Sequence, residues 1–178
     1  MTIACALIHD GETWLGSDRQ TTLGDRERAL GAPKWCIRSD RGAAAVTSGQ
    51  GAYGAILRRH AEWLLKLDVN EFWVAFTNDI KASGHGPKIN EDGVAEYAMD
   101  VLCVHPGYIW HISGVGCIRL VGEPYYASGS GDPYALGAFL ALRSYDLGLT
   151  GENIVQSAVE AAIRYDIRCG GEPWVEKL

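Results

Sequence analysis

No apolar stretch in this chain approaches the ~20 residues that a membrane-crossing helix takes. Its start lacks the basic segment of a secretory leader, because Met1 to Ile8 runs straight into His9 and Asp10. Positive charge is scarce too: 16 Lys and Arg stand against 22 Asp and Glu, a net charge of −6 that suits a nucleic-acid partner poorly. The five cysteines (Cys5, Cys36, Cys103, Cys117 and Cys169) form no C-x-x-C pair. An odd, scattered set reads as reduced, buried thiols rather than a disulfide framework or a zinc site. Repeats, low-complexity tracts and Pro/Ser-rich linkers are also missing. These absences leave one cytoplasmic domain, spanning residues 1–178, without metal or cofactor and long enough for a substantial core.

What is present is a change of period along the chain. Ile3 to His9 and Thr13 to Ser17 read as strands around an Asp10-Gly11 hairpin turn. Lys34 to Arg38 and Ala43 to Thr47 read as a second hairpin around Ser39 to Gly42. Tyr53, Ile56, Leu57, His60, Trp63 and Leu64 then recur at helical spacing, and a second helix is predicted around Phe72, Val74, Ala75, Phe76 and Ile80. Gly84 to Gly93 reads as a polar loop. Three strands are predicted at Tyr97 to Val104, Tyr108 to Ser113 and Cys117 to Val121. Helices follow at Pro133 to Asp146 and Asn153 to Ile167, with a closing strand at Trp174-Val175. Strands that hairpin directly argue for antiparallel sheets. The order fits an α+β fold in which two antiparallel sheets are flanked by helix pairs, a four-layer αββα sandwich.

The residue with the most chemical potential is Thr2. If Met1 is removed, Thr2 carries a hydroxyl nucleophile and a free α-amine on one residue, so that nucleophile and base come together. That amine has an ordinary pKa of ~7.7–8.0 and is partly neutral at physiological pH. A neighbouring lysine lowers it by like-charge repulsion, and an aspartate can anchor that lysine. Asp18 and Lys34 are the right types and follow Thr2 at equal intervals, each at a predicted strand end. Gly49, just past the strand Ala43 to Thr47, is a candidate backbone N–H donor for the oxyanion.

With these residues in view, the chain resembles the proteasome β-type subunits and their HslV-like bacterial homologues, which are N-terminal-nucleophile hydrolases. The resemblance covers nearly the whole chain and is most specific in the Gly-Ser-Asp-x-Gln-x-Thr-x-Gly stretch of the first hairpin, residues 16–24. It implies Thr2, Asp18 and Lys34 as the catalytic threonine, aspartate and lysine, and Gly49 as the oxyanion donor. It places the family's Gly-Ser-Gly turn on Gly129-Ser130-Gly131, with Ser130 supporting the nucleophile and Asp166 supporting both hydroxyls. Cys169, ahead of Gly170 and Gly171, stands where proteasome subunits carry serine. Thr22 matches the threonine whose backbone pairs with an extended substrate. Arg19, Ala45 and Val46 are candidate pocket residues by position. The implied activity is peptide hydrolysis through an acyl-enzyme. The implied assembly is a set of homo-oligomeric stacked rings, hexameric or heptameric, acting on unfolded polypeptide and fed by a separate ATPase ring.

Blander readings compete at each position. Gly49 to Gly54 spells G-x-G-x-x-G, but a second helix is predicted next instead of the strand of a dinucleotide-binding unit. His105 and His111 lack a third ligand and read as structural. Ser128 and Ser130 sit in no nucleophile elbow. Trp63 and Trp73 read as packing or subunit contacts. A ring-forming scaffold with Met1 retained is the alternative to a peptidase, and a small-molecule amidase is a weaker third reading.

Overall fold

The computed structural model describes residues 2–23, 27–30, 35–38, 43–49, 51–60, 68–116, 118–145 and 147–178. Of residues 21–23, 27–30, 35–38, 43, 49, 51, 52 and 119 it describes the backbone alone. In chain order the strands before the first helix are β1 (Ile3–His9), β2 (Glu12–Ser17), β3 (Gln20–Leu23), β4 (Glu27–Leu30), β5 (Trp35–Arg38) and β6 (Ala43–Gly49). Helices α1 (Gly51–Arg59) and α2 (Val69–Ala82) follow. Next come β7 (Lys88–Ile89), β8 (Ala95–Glu96), β9 (Met99–His105), β10 (Tyr108–Ile112), β11 (Ile118–Leu120) and β12 (Tyr125–Gly129). Helices α3 (Asp132–Ser144) and α4 (Gly151–Tyr165) and strand β13 (Trp174–Lys177) complete the chain.

Asp10 and Gly11 both take positive φ, 52° and 78°, the left-handed pair that a two-residue hairpin turn demands. The turn sets the β1–β2 register from His9 opposite Glu12 to Ala4 opposite Ser17. Strand β12 pairs with the other edge of β1, and β13 with β2, giving the order β12-β1-β2-β13. A second antiparallel sheet has the order β11-β10-β9-β6-β5.

Alternation along the strands sorts the core into three clusters. Ala4, Ala6 and Leu15 of the first sheet meet Ala44, Val46, Leu102, Val104 and Ile109 of the second. Alanines on the facing surfaces let the two sheets approach closely. The other face of β1 (Ile3, Cys5, Leu7) packs on Phe139 of α3 and on Ile154, Val155 and Val159 of α4. The other face of the second sheet (Ala45, Val101, Cys103) packs on Tyr53, Ile56 and Leu57 of α1 and on Phe72, Phe76 and Ile80 of α2. Helix α2 starts on the Asp68 carboxylate, which accepts from the Glu71 N–H at 2.9 Å, and α4 on the Thr150 hydroxyl, which accepts from Asn153 at 3.2 Å.

The predicted elements recur with shifted ends. The first helix closes at Arg59 with His60 in the turn; the continuation read at Trp63 and Leu64 lies outside the described residues, as do the 39–42 turn and Cys117. The ribbon β3–β4 and strand β12 were not expected, and the loop read over Gly84 to Gly93 contains β7. The helix predicted to begin at Pro133 begins at Asp132, and the next begins at Gly151 rather than Asn153. Among the described residues no helix is long and apolar enough to cross a membrane.

Candidate active site

Thr2 precedes β1 and is fully buried. Its hydroxyl donates to Asp18 Oδ1. Asp18 leaves the end of β2, and its N–H donates to the Ile3 carbonyl at 3.4 Å, so the β1–β2 register persists one step past the assigned strands. The carboxylate has no exposed surface and among the described residues takes three more hydrogen bonds: Ile3 N–H to Oδ1 at 3.1 Å, and Gln20 N–H and Gly170 N–H to Oδ2 at 3.1 and 3.2 Å. Three backbone donors fix the carboxylate, and the carboxylate in turn fixes the threonine rotamer. A buried carboxylate is tolerable only when its lone pairs are occupied in this way.

The Gly129-Ser130-Gly131 turn closes over the same residue. Gly129 stands opposite Ile3 with φ 114°, and a Cβ there would lie 2.1 Å from the Thr2 carbonyl oxygen and 3.2 Å from Ser48 Cβ. Only glycine permits both the torsion and the approach. The same position brings Ser48, next to Gly49 at the end of β6, against Gly129. Ser48 and Ser128 share a buried hydrogen bond of 3.2 Å between the sheets. At Gly131 a Cβ would sit 2.7 Å from Ala162 Cβ and 3.0 Å from Cys169 Sγ, which seats the turn against α4 and the loop after it.

Asp166 caps the end of α4. Burial pushes its carboxyl up, but the Ser130 hydroxyl, the Arg168 N–H at 3.0 Å, the Cys169 thiol at 3.5 Å and the Arg168 charge together bring it below its ordinary value. The buried Ser130 Oγ reaches Asp166 without the alignment of a full hydrogen bond. Cys5, on β1 beneath this turn, is fully buried; burial, with Cys169, Asp18 and Asp132 nearby, pushes its thiol well up and keeps it protonated.

Of the residues singled out in the sequence, Thr2, Asp18, Gly49, Ser130, Gly131, Asp166 and Cys169 lie on connected segments at one end of the two sheets. Lys34 lies outside the described residues. Thr22 is placed by its backbone on β3, opposite Arg28. Arg19 donates its N–H to the Gly170 carbonyl at 3.1 Å and lays its guanidinium 4.3 Å over the Trp174 ring. Ala45 and Val46 point to opposite faces of β6, Ala45 toward the helices and Val46 between the sheets, so they do not share one pocket wall. His111 pairs with Asp100 at 3.4 Å, and His105 is buried with its pKa lowered by desolvation. Gln20, Gly170 and Trp174 were not singled out as partners. The Gln20 N–H reaches Asp18 from two residues on, within the Gly-Ser-Asp-x-Gln stretch, whereas Gly170 and Trp174 reach Asp18 and Arg19 through the chain's return into β13, which no local motif announces. Among the described residues no three His, Cys, Asp or Glu side chains group to hold a metal ion.

Two facing antiparallel sheets, helices against their other surfaces and a hydroxyl residue buried at the first strand define the class. This is the fold of BPH from Thiobacillus denitrificans, solved alone and in complex with epoxomicin. Both chains are 22% identical to this one with TM-scores of 0.79 and 0.78, covering 99% of this chain and 97% of theirs. It is equally the fold of eukaryotic HslV from Trypanosoma brucei, at 22% identity and a TM-score of 0.73, with 99% and 98% covered. In sequence the chain is similar to the ATP-dependent protease subunit HslV of Ligilactobacillus salivarius, 25% identical over 187 residues that span 100% of this chain and 99% of that one. The resemblance to HslV thus runs the full length of the chain. No family model matches it.

Proposed function

We propose that this chain is an N-terminal threonine peptidase, a single-domain subunit of a self-compartmentalised ring protease of the HslV type, with its helices and sheets stacked as the four-layer αββα sandwich of N-terminal-nucleophile hydrolases. The observation that carries the reading is the hydrogen bond from Thr2 to a fully buried Asp18 that three backbone N–H groups already hold. A second-residue threonine with no chemical task does not require a buried carboxylate at its hydroxyl. Similarity to a protease subunit along the whole chain supports the same reading.

In the proposed reaction Met1 is removed and the Thr2 α-amine becomes free. Thr2 Oγ1 attacks the scissile carbonyl carbon as its proton passes to that amine. Negative charge collects on the carbonyl oxygen, where the Gly49 N–H is the proposed donor. The C–N bond then breaks, the leaving amine takes the proton, and an ester to Thr2 remains. Water, deprotonated by the same amine, hydrolyses the ester. Asp18 orients the hydroxyl and anchors Lys34, whose charge keeps the amine basicity in range. Ser130, Asp166 and Cys169 brace the turn over Thr2, Gly131 lets it seat, and the β3 backbone at Thr22 pairs with extended substrate. The protein works in the cytoplasm without a cofactor, in stacked hexameric or heptameric rings that receive unfolded polypeptide from an ATPase ring.

Intact mass after incubation with epoxomicin tests this reading. A peptide epoxyketone bonds to both the hydroxyl and the amine of an N-terminal threonine. Loss of the Met1 mass with one adduct per chain is expected, together with no adduct on Thr2→Ala. A retained Met1 without adduct would replace the peptidase by the silent ring scaffold.

A further inference from the structure

The flank of Thr2 on the β2–β13 side carries the Arg19 cation, for which the described residues offer no carboxylate partner. Asp18 N–H bonds to Ile3, and continuing that register by one residue sets Arg19 opposite Thr2. Ser17, two residues back along the same face, stands opposite both Ala4 and Trp174. The Arg19 guanidinium lies 4.3 Å from the Trp174 ring centre, a cation–π distance that restrains the planar group and leaves the donors of its edge unused by the ring. Among the described residues no carboxylate pairs with Arg19, and its buried Nε has no hydrogen-bond partner. The Ser17 hydroxyl, on a residue with no exposed surface, is likewise unpartnered. Two buried donors on one face, beside a clamped guanidinium, form an anion-receiving set with its acceptor missing. The opposite flank is of the other sign. Beyond Gly129, Asp100 stands across from Ser48, His111 is 3.4 Å from Asp100, and Asp132 opens α3 close enough to Asp100 to be repelled by it. Among the described residues the acidic groups thus gather on one flank of Thr2 and the Arg19 guanidinium stands on the other.

We propose that Arg19, clamped on Trp174, is the specificity-determining residue of this site and receives a substrate carboxylate, either an acidic side chain beside the scissile bond or the peptide's own C-terminus. The inference rests on the peptidase reading and adds its substrate class. A planar guanidinium fixed in orientation binds a carboxylate through paired hydrogen bonds, which a mobile lysine does not reproduce.

The test uses the assembled, Met1-free protein and fluorogenic peptides that differ only in Glu or Gln next to the cleaved bond, with blocked termini. A second pair differs only in a free or amidated C-terminus. One of the two pairs is expected to favour its carboxylate member by roughly tenfold in kcat/KM, and which pair responds identifies the source. The preference is expected to shrink as salt rises, to collapse in Arg19→Gln, to return in part in Arg19→Lys, and to weaken in Trp174→Leu. Arg19 that served only to pack Trp174 would give no salt dependence and no recovery with lysine. Anisotropy of the same peptides, labelled, on Thr2→Ala reads the contact without hydrolysis. If the wild type cleaves nothing while Thr2→Ala still binds the carboxylate member more tightly in an Arg19-dependent way, the peptidase reading falls and the anion site stands. No carboxylate preference in either assay, or one that survives Arg19→Gln, overturns the proposal.

Discussion

Among the described residues Asp18 accepts four hydrogen bonds with no surface exposed, each from an N–H or O–H donor. Two donors meet each carboxylate oxygen, so Asp18→Asn turns an NH2 toward N–H or O–H donors whichever oxygen it replaces. The variant is expected to lose about 1–3 kcal/mol of stability, read from urea unfolding, and to lose most peptide turnover because the Thr2 hydroxyl loses its fixed orientation. A variant as stable and as active as the wild type would remove Asp18 from the proposed machinery. Asp166 makes a different statement, through pH. Donors from Ser130, Arg168 and Cys169 outweigh burial and hold its folded-state carboxyl below the unfolded value. The folded chain thus binds fewer protons there than the unfolded chain. The contribution is complete above the unfolded carboxylate range of about 3.9 and fades as pH falls through the lower folded value. The Tm gap between wild type and Asp166→Asn is accordingly expected to be widest near neutrality and to narrow in acid. A gap that widens in acid would reverse the sign and exclude this account.

At the scale of elements, Gly16 governs how α4 sits on the first sheet. A Cβ at this position would lie 2.5 Å from Val155 Cγ1 and 2.9 Å from Val159 Cγ2, so the helix rests directly on the β2 backbone. Gly16→Ala is expected to cost about 1–3 kcal/mol by overpacking. Val155→Ala in the same background should return part of that loss, a non-additivity that a double-mutant cycle in urea detects. Additive losses would mean that α4 is not seated there. The same region marks the limit of what the sequence discloses. The β1–β2 hairpin is legible because Asp10-Gly11 and the alternation on each side agree. The α4 stripe of Ile154, Val155, Ala158, Val159 and Ala162 is legible from its helical period. Strand β12, Tyr125–Gly129, is not, because Ala127, Ser128 and Gly129 carry little strand preference and the two tyrosines before them are too short a run to signal a strand; pairing along β1 makes it extended. The site divides in the same way. Thr2, Asp18 and the Gly-Ser-Gly turn are visible as motifs. Gly170 on Asp18 and Trp174 under Arg19 arise only when a distant segment folds back onto β2, and no spacing encodes that.

At the scale of the whole molecule, the proposed chemistry needs confinement. A peptidase whose nucleophile opens freely to solvent would cut any accessible loop, whereas an enclosed one meets only chain threaded to it. The surface of the single chain is consistent with cover by further subunits. Tyr145, Leu147, Tyr165 and Ile167 are 67%, 56%, 63% and 75% exposed near the ends of α3 and α4, and Tyr134 and Tyr165 stack with ring centres 5.7 Å apart. Single exposed apolar residues are ordinary, but Tyr134, Tyr165 and Ile167 share one end of the helix pair, with Tyr145 and Leu147 beyond α3 at the other, and apolar surface grouped in this way suits cover by a further subunit. Native mass spectrometry at micromolar concentration is expected to give a closed multiple of the chain mass, and gentle dissociation to a monomer is expected to abolish cleavage of long unfolded substrates before that of short peptides. The two activities separate the parts of the proposal. If a monomer cleaves short peptides and bonds epoxomicin, the threonine chemistry stands and the chamber does not. If the closed assembly forms but no chain reacts at Thr2, the rings stand and the chemistry fails.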